Sequence, residues 1–202
     1  MGSEDAHGQN VEVGPDGYIY VIGDPWIGNI TIDSMNFSSY FILKMDSGGN
    51  VLWGQPFFSS VFQPGLAIDD QGNAYIAYTN YTSHFFGDIY VDNATGVGAD
   101  LVVGMMDSTG DAQWVFKYET KVVGVTAMGI DVNKQNQVAI TGLFQDSLDL
   151  ISTSLIESGK NTFLVILNAS TGVTIAATKT TGTNSANGTA ILADDSGNFV
   201  VA

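Results

Sequence analysis

The chain has 202 residues, 45% of them hydrophobic, which is sufficient to bury one substantial core. It carries 21 acidic residues against 6 basic ones, all lysine, and the net charge of −15 argues against DNA, RNA and anionic membranes, whose phosphates require basic side chains. Without cysteine there are no disulfides and no thiolate chemistry, and no apolar run is long enough for membrane insertion.

The start of the chain, residues 1–10, is mostly polar, and we interpret it as a tag or a disordered tail. From Val11 the sequence VEVGPDGYIYVIG predicts a hairpin of two short apolar strands joined by a tight polar turn. Similar hairpins follow as LAIDDQGNAYIAY from Leu66, IDVNKQNQVAITG from Ile130 and LADDSGNFVVA from Leu192. Glycine and asparagine tolerate the positive φ that such turns require. They occupy the fourth turn position in every copy, as Gly17, Gly72, Asn136 and Gly197.

A second hairpin series is interleaved with the first. Its copies are YFILKMDSGGNVLW from Tyr40, DLVVGMMDSTGDAQW from Asp100 and TFLVILNASTGVTIA from Thr162, with turn glycines Gly49, Gly110 and Gly172. Both series recur at about sixty residues, so one unit contains both hairpins. Trp53 and Trp114 recur in register and are predicted to be core residues, whereas the third copy has Ala176 at that position.

Two hairpins per unit give four antiparallel strands, and the chain shows no helical periodicity. Strands such as FILKM and FLVIL are continuously apolar, which implies burial on both faces of the sheet. We therefore predict an all-β, β-propeller-like fold with four-stranded antiparallel blades of about sixty residues. The predicted repeats are 11–65, 66–128 and 129–190, followed by a partial repeat at 191–202.

These hairpins resemble the β-propeller repeat often labelled SBBP, which occurs in secreted and surface proteins of bacteria and archaea. The resemblance extends over nearly all of the chain from Val11 onward. Its matching residues are Asp69, Gly72, Asn73 and Tyr75 in the first hairpin type and Phe41, Lys44, Asp46, Gly49, Asn50 and Trp53 in the second. The resemblance implies a propeller fold and a secreted or cell-surface location, but no particular ligand.

About three and a half blades fall short of a closed ring, because propellers usually have four or more. We therefore expect the chain to be a piece of a longer protein, or to complete its sheet with another chain. An unpaired strand edge is a template for such self-association.

Aromatic residues between two predicted strands suggest a binding surface, because such rings stack on sugar faces or on apolar partners. The candidates are Trp26, Tyr78, Tyr81, His84, Phe85 and Phe86. Alternatively, the rings from Tyr78 to Phe86 cover the edge of a blade. Trp26 lies outside the repeat pattern and is expected to be exposed.

The aspartate-rich turns offer oxygen ligands for calcium, but the alternating acids of a calcium-binding loop are absent. Aspartate is also common in turns because its carboxylate bonds the nearby backbone. The two histidines, His7 and His84, do not supply a typical zinc site, and no Gly-x-Ser-x-Gly elbow is present. We predict no cofactor and no catalytic residue, with calcium binding and a pair of carboxylates acting on a glycan as alternatives.

Asn-x-Ser/Thr sequons indicate a glycosylated surface protein, unless they only reflect polar connections. They occur at Asn29, Asn36, Asn80, Asn93, Asn168 and Asn187. Together these features predict a non-catalytic extracellular scaffold or binding module with a protein or glycan partner. The alternatives are a structural subunit of a filament or surface coat and a carbohydrate-active enzyme.

Overall fold

A computed structural model of the chain describes residues 5–58, 61–93, 98–120, 124–181 and 188–202. In these residues there is no helix, and hence none that could cross a membrane. The strands form three four-stranded antiparallel sheets and three two-stranded sheets, none of which closes on itself. The predicted all-β class and the unit of four antiparallel strands are confirmed.

The first sheet contains four strands in the order β1-β2-β5-β6, with the β3–β4 hairpin inserted between β2 and β5. The strands are β1 (Asp5–Val13), β2 (Ile19–Ile27), β3 (Ile30–Ile32), β4 (Met35–Phe37), β5 (Tyr40–Met45) and β6 (Val51–Phe58). Residues 5–10 were predicted to be a tag or a disordered tail, but they pair with β2, as in Ala6 opposite Pro25. That prediction differs from the structure because backbone pairing at a sheet edge does not require apolar side chains.

The second sheet repeats this plan, with the order β7-β8-β11-β12 and the β9–β10 hairpin at the same place. Its strands are β7 (Val61–Ile68), β8 (Ala74–Asn80), β9 (His84–Phe86), β10 (Ile89–Val91), β11 (Asp100–Met106) and β12 (Ala112–Tyr118). The sheet starts a few residues before the predicted repeat boundary at residue 66, because β7 extends N-terminally beyond the apolar run.

The third sheet, in the order β13-β14-β15-β16, has longer central strands, and their far ends take the place of the inserted hairpin. Its strands are β13 (Val125–Asn133), β14 (Gln137–Asp149), β15 (Ser154–Asn168) and β16 (Thr174–Lys179). A last hairpin of β17 (Ile191–Ala193) and β18 (Phe199–Val201) repeats the first two strands of a unit.

The turns of both hairpin series share a positive φ at one position. In the turn that begins at Asp46, the aspartate carboxylate accepts hydrogen bonds from the amides of Gly48 at 2.8 Å and Asn50 at 2.9 Å. The residue at the predicted position has a positive φ in every copy: Gly17, Gly49, Gly72, Gly110, Asn136, Gly172 and Gly197. The aspartate side chains therefore hold the turn through local hydrogen bonds.

The second sheet is covered on both of its faces. Along β8, Ile76 and Tyr78 face a cluster shared with the first sheet, while Tyr75 and Ala77 face a cluster shared with the third. All seven residues of β8 and of β11 are buried. Successive side chains of a strand point to opposite faces, so a continuously apolar strand fills two cores. Each large buried side chain stabilises the fold by about 1.5–3 kcal/mol.

The three sheets follow one another through their first strands. β1 lies against β7, β7 against β13 and β13 against β17.

The junction of the first two sheets contains a buried ion pair. The Lys44 ammonium is buried and lies 3.0 Å from a carboxylate oxygen of Asp16. It also lies over the ring of Tyr20. The Tyr20 hydroxyl donates to the Gly72 carbonyl of the next sheet at 2.9 Å.

The two recurring tryptophans connect consecutive sheets in the same way. The indole Nε1 of Trp53 donates to the Ser108 carbonyl at 3.0 Å, and that of Trp114 donates to the Ala169 carbonyl at 3.0 Å. Both acceptors lie in the second hairpin turn of the following sheet. A Cβ at Gly110 would be 2.9 Å from the ring of Trp53, so the turn glycine also makes room for the indole. Trp114 is buried and Trp53 is half-buried.

The junction between β13 and the last hairpin uses polar side chains instead. The third sheet has Ala139 and Ala176 at the positions of Tyr20 and Trp53 in the first. Asn133 Nδ2 donates to the Gly197 carbonyl at 2.7 Å, and Gln135 Nε2 donates to the Ser196 carbonyl at 3.0 Å. Amide side chains thus replace the aromatic contacts in this copy.

We expect Trp114→Phe to lower the free energy of unfolding by about 2–3 kcal/mol, because it leaves the buried Ala169 carbonyl without its donor and removes ring volume. Trp53→Phe should cost about 1 kcal/mol, because Ser108 is partly exposed and water can replace the indole. Urea denaturation followed by far-UV circular dichroism measures both values. An equal loss for the two variants, or a larger one for Trp53→Phe, would contradict the proposed role of the buried hydrogen bond.

Candidate functional site

The β9–β10 hairpin presents an exposed pair of aromatic rings. Phe85 is 58% exposed and Tyr90 is 57% exposed. They are directly paired across the two strands, with ring centroids 5.2 Å apart and planes inclined by 57°. Exposed carboxylates of Asp88 and Asp92 flank them in the sequence. Aromatic edges and faces next to hydrogen-bond acceptors are able to contact a sugar ring or an apolar side chain.

The opposite face of the hairpin anchors it to the second sheet. Phe86 and Val91 are buried in the core shared by the first two sheets. Gly104 of β11 permits this packing, since a Cβ there would lie 2.6 Å from Cζ of Phe86. The tight turn of Gly87 and Asp88, in which Gly87 has a φ of 60°, sends β10 back alongside β9. The exposed pair is therefore fixed to a rigid support.

His84, at the base of the hairpin, forms a buried polar link to β8. Its Nδ1 lies 3.1 Å from the Thr82 carbonyl, which is able only to accept, so Nδ1 carries the proton. Its Nε2 then accepts from the Tyr78 hydroxyl at 2.6 Å. Burial lowers the pKa of His84 below its ordinary value, although the Thr82 carbonyl opposes this shift. The neutral imidazole is thus the form that suits the folded chain.

The corresponding positions of the other two units are not aromatic. The β3–β4 hairpin directs Thr31 and Asn36 outward, with the threonine hydroxyl donating to Asn36 Oδ1 at 2.6 Å. In the third unit, the turn between β14 and β15 exposes Ile151, and the adjoining end of β15 exposes Ile156. The Phe85–Tyr90 pair is therefore a feature of the second unit alone among the described residues.

A second exposed ring lies near the start of the chain. Trp26 is 65% exposed, and its ring centroid lies 5.1 Å from that of His7. Close by, Gln9 Nε2 donates to the buried carboxylate of Asp24 at 2.7 Å. The exposure expected for Trp26 is present, and His7 is part of β1.

The predicted binding residues divide into two groups. Trp26, Tyr81 and Phe85 are exposed, whereas Tyr78, His84 and Phe86 are buried. The buried three support the hairpin and offer no surface to a ligand. Tyr90 is missing from the predicted set because it lies beyond the aromatic stretch from Tyr78 to Phe86. The Gly87-Asp88 turn between two short apolar segments was the available signal for it.

The sequons differ in their accessibility. Asn29 and Asn36 are exposed, and Asn168 is partly exposed, with its Oδ1 accepting from the Thr171 amide. Asn80 and Asn93 are buried, which leaves no room for a glycan on these two side chains in this fold. Asn187 lies outside the described residues.

A cavity of about 530 Å³ opens where the first strands of the units end. Carboxylates line it: Glu12, Asp69, Asp70, Asp131, Asp194 and Asp195. Desolvation, and next the charge of Asp131, raise the pKa of Glu12. Other carboxylates are engaged in backbone hydrogen bonds, such as Asp131 with the Ala193 amide at 2.6 Å. In the described part of the chain, no three acidic or histidine side chains form a group able to hold a metal ion.

No protein-family model and no curated protein matches this chain. Among solved structures, it is similar to a crystal structure of a protein of unknown function from Bacteroides caccae, with a TM-score of 0.49 and 13% sequence identity. The match covers 98% of this chain and 53% of the other. The chain thus spans about half the length of that protein.

We expect the stability of the chain to fall as the pH drops below about 6.5, because His84 takes up a proton in the unfolded chain before it does so in the folded one. The loss continues until the pH passes the lowered pKa, with a limiting slope of roughly 1.4 kcal/mol per pH unit. Urea denaturation at intervals between pH 7.5 and about 5 measures it.

His84→Gln is the matched control, because glutamine keeps a donor and an acceptor but does not titrate. All other ionisable side chains are common to both proteins. The difference in slope between the two therefore reports on His84. Identical slopes would show that its protonation is not linked to folding.

Proposed function

We propose that the chain is a non-catalytic binding module, built on propeller-like repeats, that engages a glycan through the Phe85–Tyr90 pair. The observation that carries this proposal is that two large rings are paired across a hairpin and left more than half exposed. Exposing such rings forgoes the hydrophobic stabilisation that burial would provide. A rigid aromatic surface of this kind is suited to stacking on the apolar face of a pyranose.

The charges favour a neutral or basic glycan. With a net charge of −15, and with Asp88 and Asp92 beside the rings, the surface repels sulfated or carboxylated sugars. Carboxylates are also good acceptors for sugar hydroxyls. A protein partner with an apolar side chain at its centre is the other class that such rings would fit.

The propeller-like arrangement is supported by three features. Three consecutive units have the same strand order, their first strands are adjacent in chain order, and the tryptophan contact recurs between units. The SBBP resemblance and a secreted or cell-surface location belong to the same proposal. The structural-subunit alternative rests on the last hairpin, in which β17 and β18 pair only with each other among the described strands.

The experiment is a screen of the purified chain against immobilised neutral, basic and sulfated oligosaccharides, repeated with Phe85→Ala/Tyr90→Ala. We expect binding to a neutral or basic glycan, and a loss in affinity of tenfold or more in the double variant, about 1.4 kcal/mol. Circular dichroism confirms that the variant is folded.

Thr31→Ala/Asn36→Ala is the control, because it changes the equivalent outward pair of the first unit. It should bind like the unaltered chain. Retained binding by Phe85→Ala/Tyr90→Ala would remove the aromatic pair from the site, and binding to none of the oligosaccharides would exclude a glycan ligand of these classes. Release of reducing sugar from the bound glycan would instead favour the carbohydrate-active enzyme.

A further inference from the structure

One face of the first sheet is covered at Phe41 and Leu43 by the β3–β4 hairpin, but it lacks the preceding sheet that covers its counterparts. Val11, Leu66, Ile130 and Ile191 occupy the same place in the first strand of the four units, six positions before the turn glycine or asparagine. Leu66, Ile130 and Ile191 are 3%, 8% and 8% exposed, while Val11 is 61% exposed. Leu66 is covered by the first sheet and Ile130 by the second. Among the described residues, no preceding sheet covers Val11.

The turn glycines show the same difference. In later units, side chains of the preceding sheet lie against these glycines, as Asp16 does at Gly72 and Trp53 at Gly110. At Gly17 and Gly49 of the first sheet, no atom lies within 4 Å of the Cβ position. The backbone conformation of these turns is nevertheless the same, with φ values of 80° and 85°. The first sheet therefore has the turn conformation found at a sheet-to-sheet junction, but no side chains of a preceding sheet lie against its turns.

We propose that this surface, defined by Val11, Val13, Gly17 and the turn from Asp46 to Asn50, docks another four-stranded sheet of the same type. The partner sheet carries a tyrosine on its second strand and a tryptophan on its fourth. In the two aromatic junctions, those side chains are Tyr20 with Trp53 and Tyr75 with Trp114. Both tryptophans donate to the carbonyl of the residue after the first turn position. On the first sheet that acceptor is Ser47.

A second copy of this chain does not fit as the partner. Its first and second sheets already have their tyrosine and tryptophan engaged with the next sheet. Its third sheet has Ala139 and Ala176 instead, and β17 already lies against β13 of that sheet. The docked sheet is thus a further four-stranded unit that carries the aromatic pair. This inference is independent of the Phe85–Tyr90 site.

The test supplies the partner within the intact chain. A second copy of residues 61–124 is fused in front of Asp5, in one version unaltered and in a control with Trp114→Ala in the added copy only. Hydrogen exchange of the backbone amides at residues 11–13 and 47–50 is compared with that of the original chain. With the unaltered copy we expect exchange at both segments to slow by about tenfold or more, and with the alanine control by clearly less.

Each other outcome overturns part of the proposal. Unchanged exchange with the unaltered copy, including the case in which the added copy remains unfolded beside a folded chain, would show that the surface does not accept such a sheet. Equal protection by both fusions would show that tryptophan does not determine the fit. The amides of residues 108–110 are the internal reference, because their tryptophan contact is already present in the original chain.

Discussion

The whole structure depends on the requirement that a sheet with two apolar faces be covered on both. The central strands of each unit are apolar without alternation, so they cannot be stable as a single layer in water. The hairpin turns reverse the chain, and they also help to hold the neighbouring sheet that provides this cover. A glycine with positive φ provides space for an indole from the preceding sheet, and a nearby carbonyl accepts its N–H. Local turn chemistry and the stacking of sheets therefore rest on the same few residues.

This arrangement separates the constant and variable parts of the molecule. The four-stranded frame is repeated with little change, while the inserted segments of the three units direct a polar, an aromatic and an aliphatic set of side chains outward. Since the insertions are anchored by buried residues such as Phe86, their outer faces tolerate substitution without loss of the core. The candidate site occupies one such outer face, where loops and insertions commonly carry function on a rigid scaffold.

Much of the frame could be predicted from the sequence, because glycine in the turns and two-sided apolar strands leave few alternatives. The inserted hairpins could not be predicted in the same way, because a three-residue strand such as His84–Phe86 is too short to show which of its side chains face the core. Successive side chains of a strand point to opposite faces, so Phe85 and Phe86 must point in opposite directions. The sequence does not show which of the two faces the core. The pairing of residues 5–10 with β2 could not be predicted either, because it depends on the backbone and not on apolar side chains. The burial of Asn80 and Asn93 could not be predicted either, since a sequon does not indicate whether its asparagine is buried or exposed.

The complete burial of β8 and β11 has a consequence for how the molecule comes apart. The middle sheet is the least able to open by itself, because its unfolding breaks the apolar interfaces with both neighbours, whereas unfolding of the first sheet breaks only one. Disruption is therefore expected to begin at the outer sheets and advance inward, as in other linear arrays whose units are stabilised by their neighbours. The middle unit is then the cooperative centre of the chain, and the hairpin it carries would be among the last parts to lose its form.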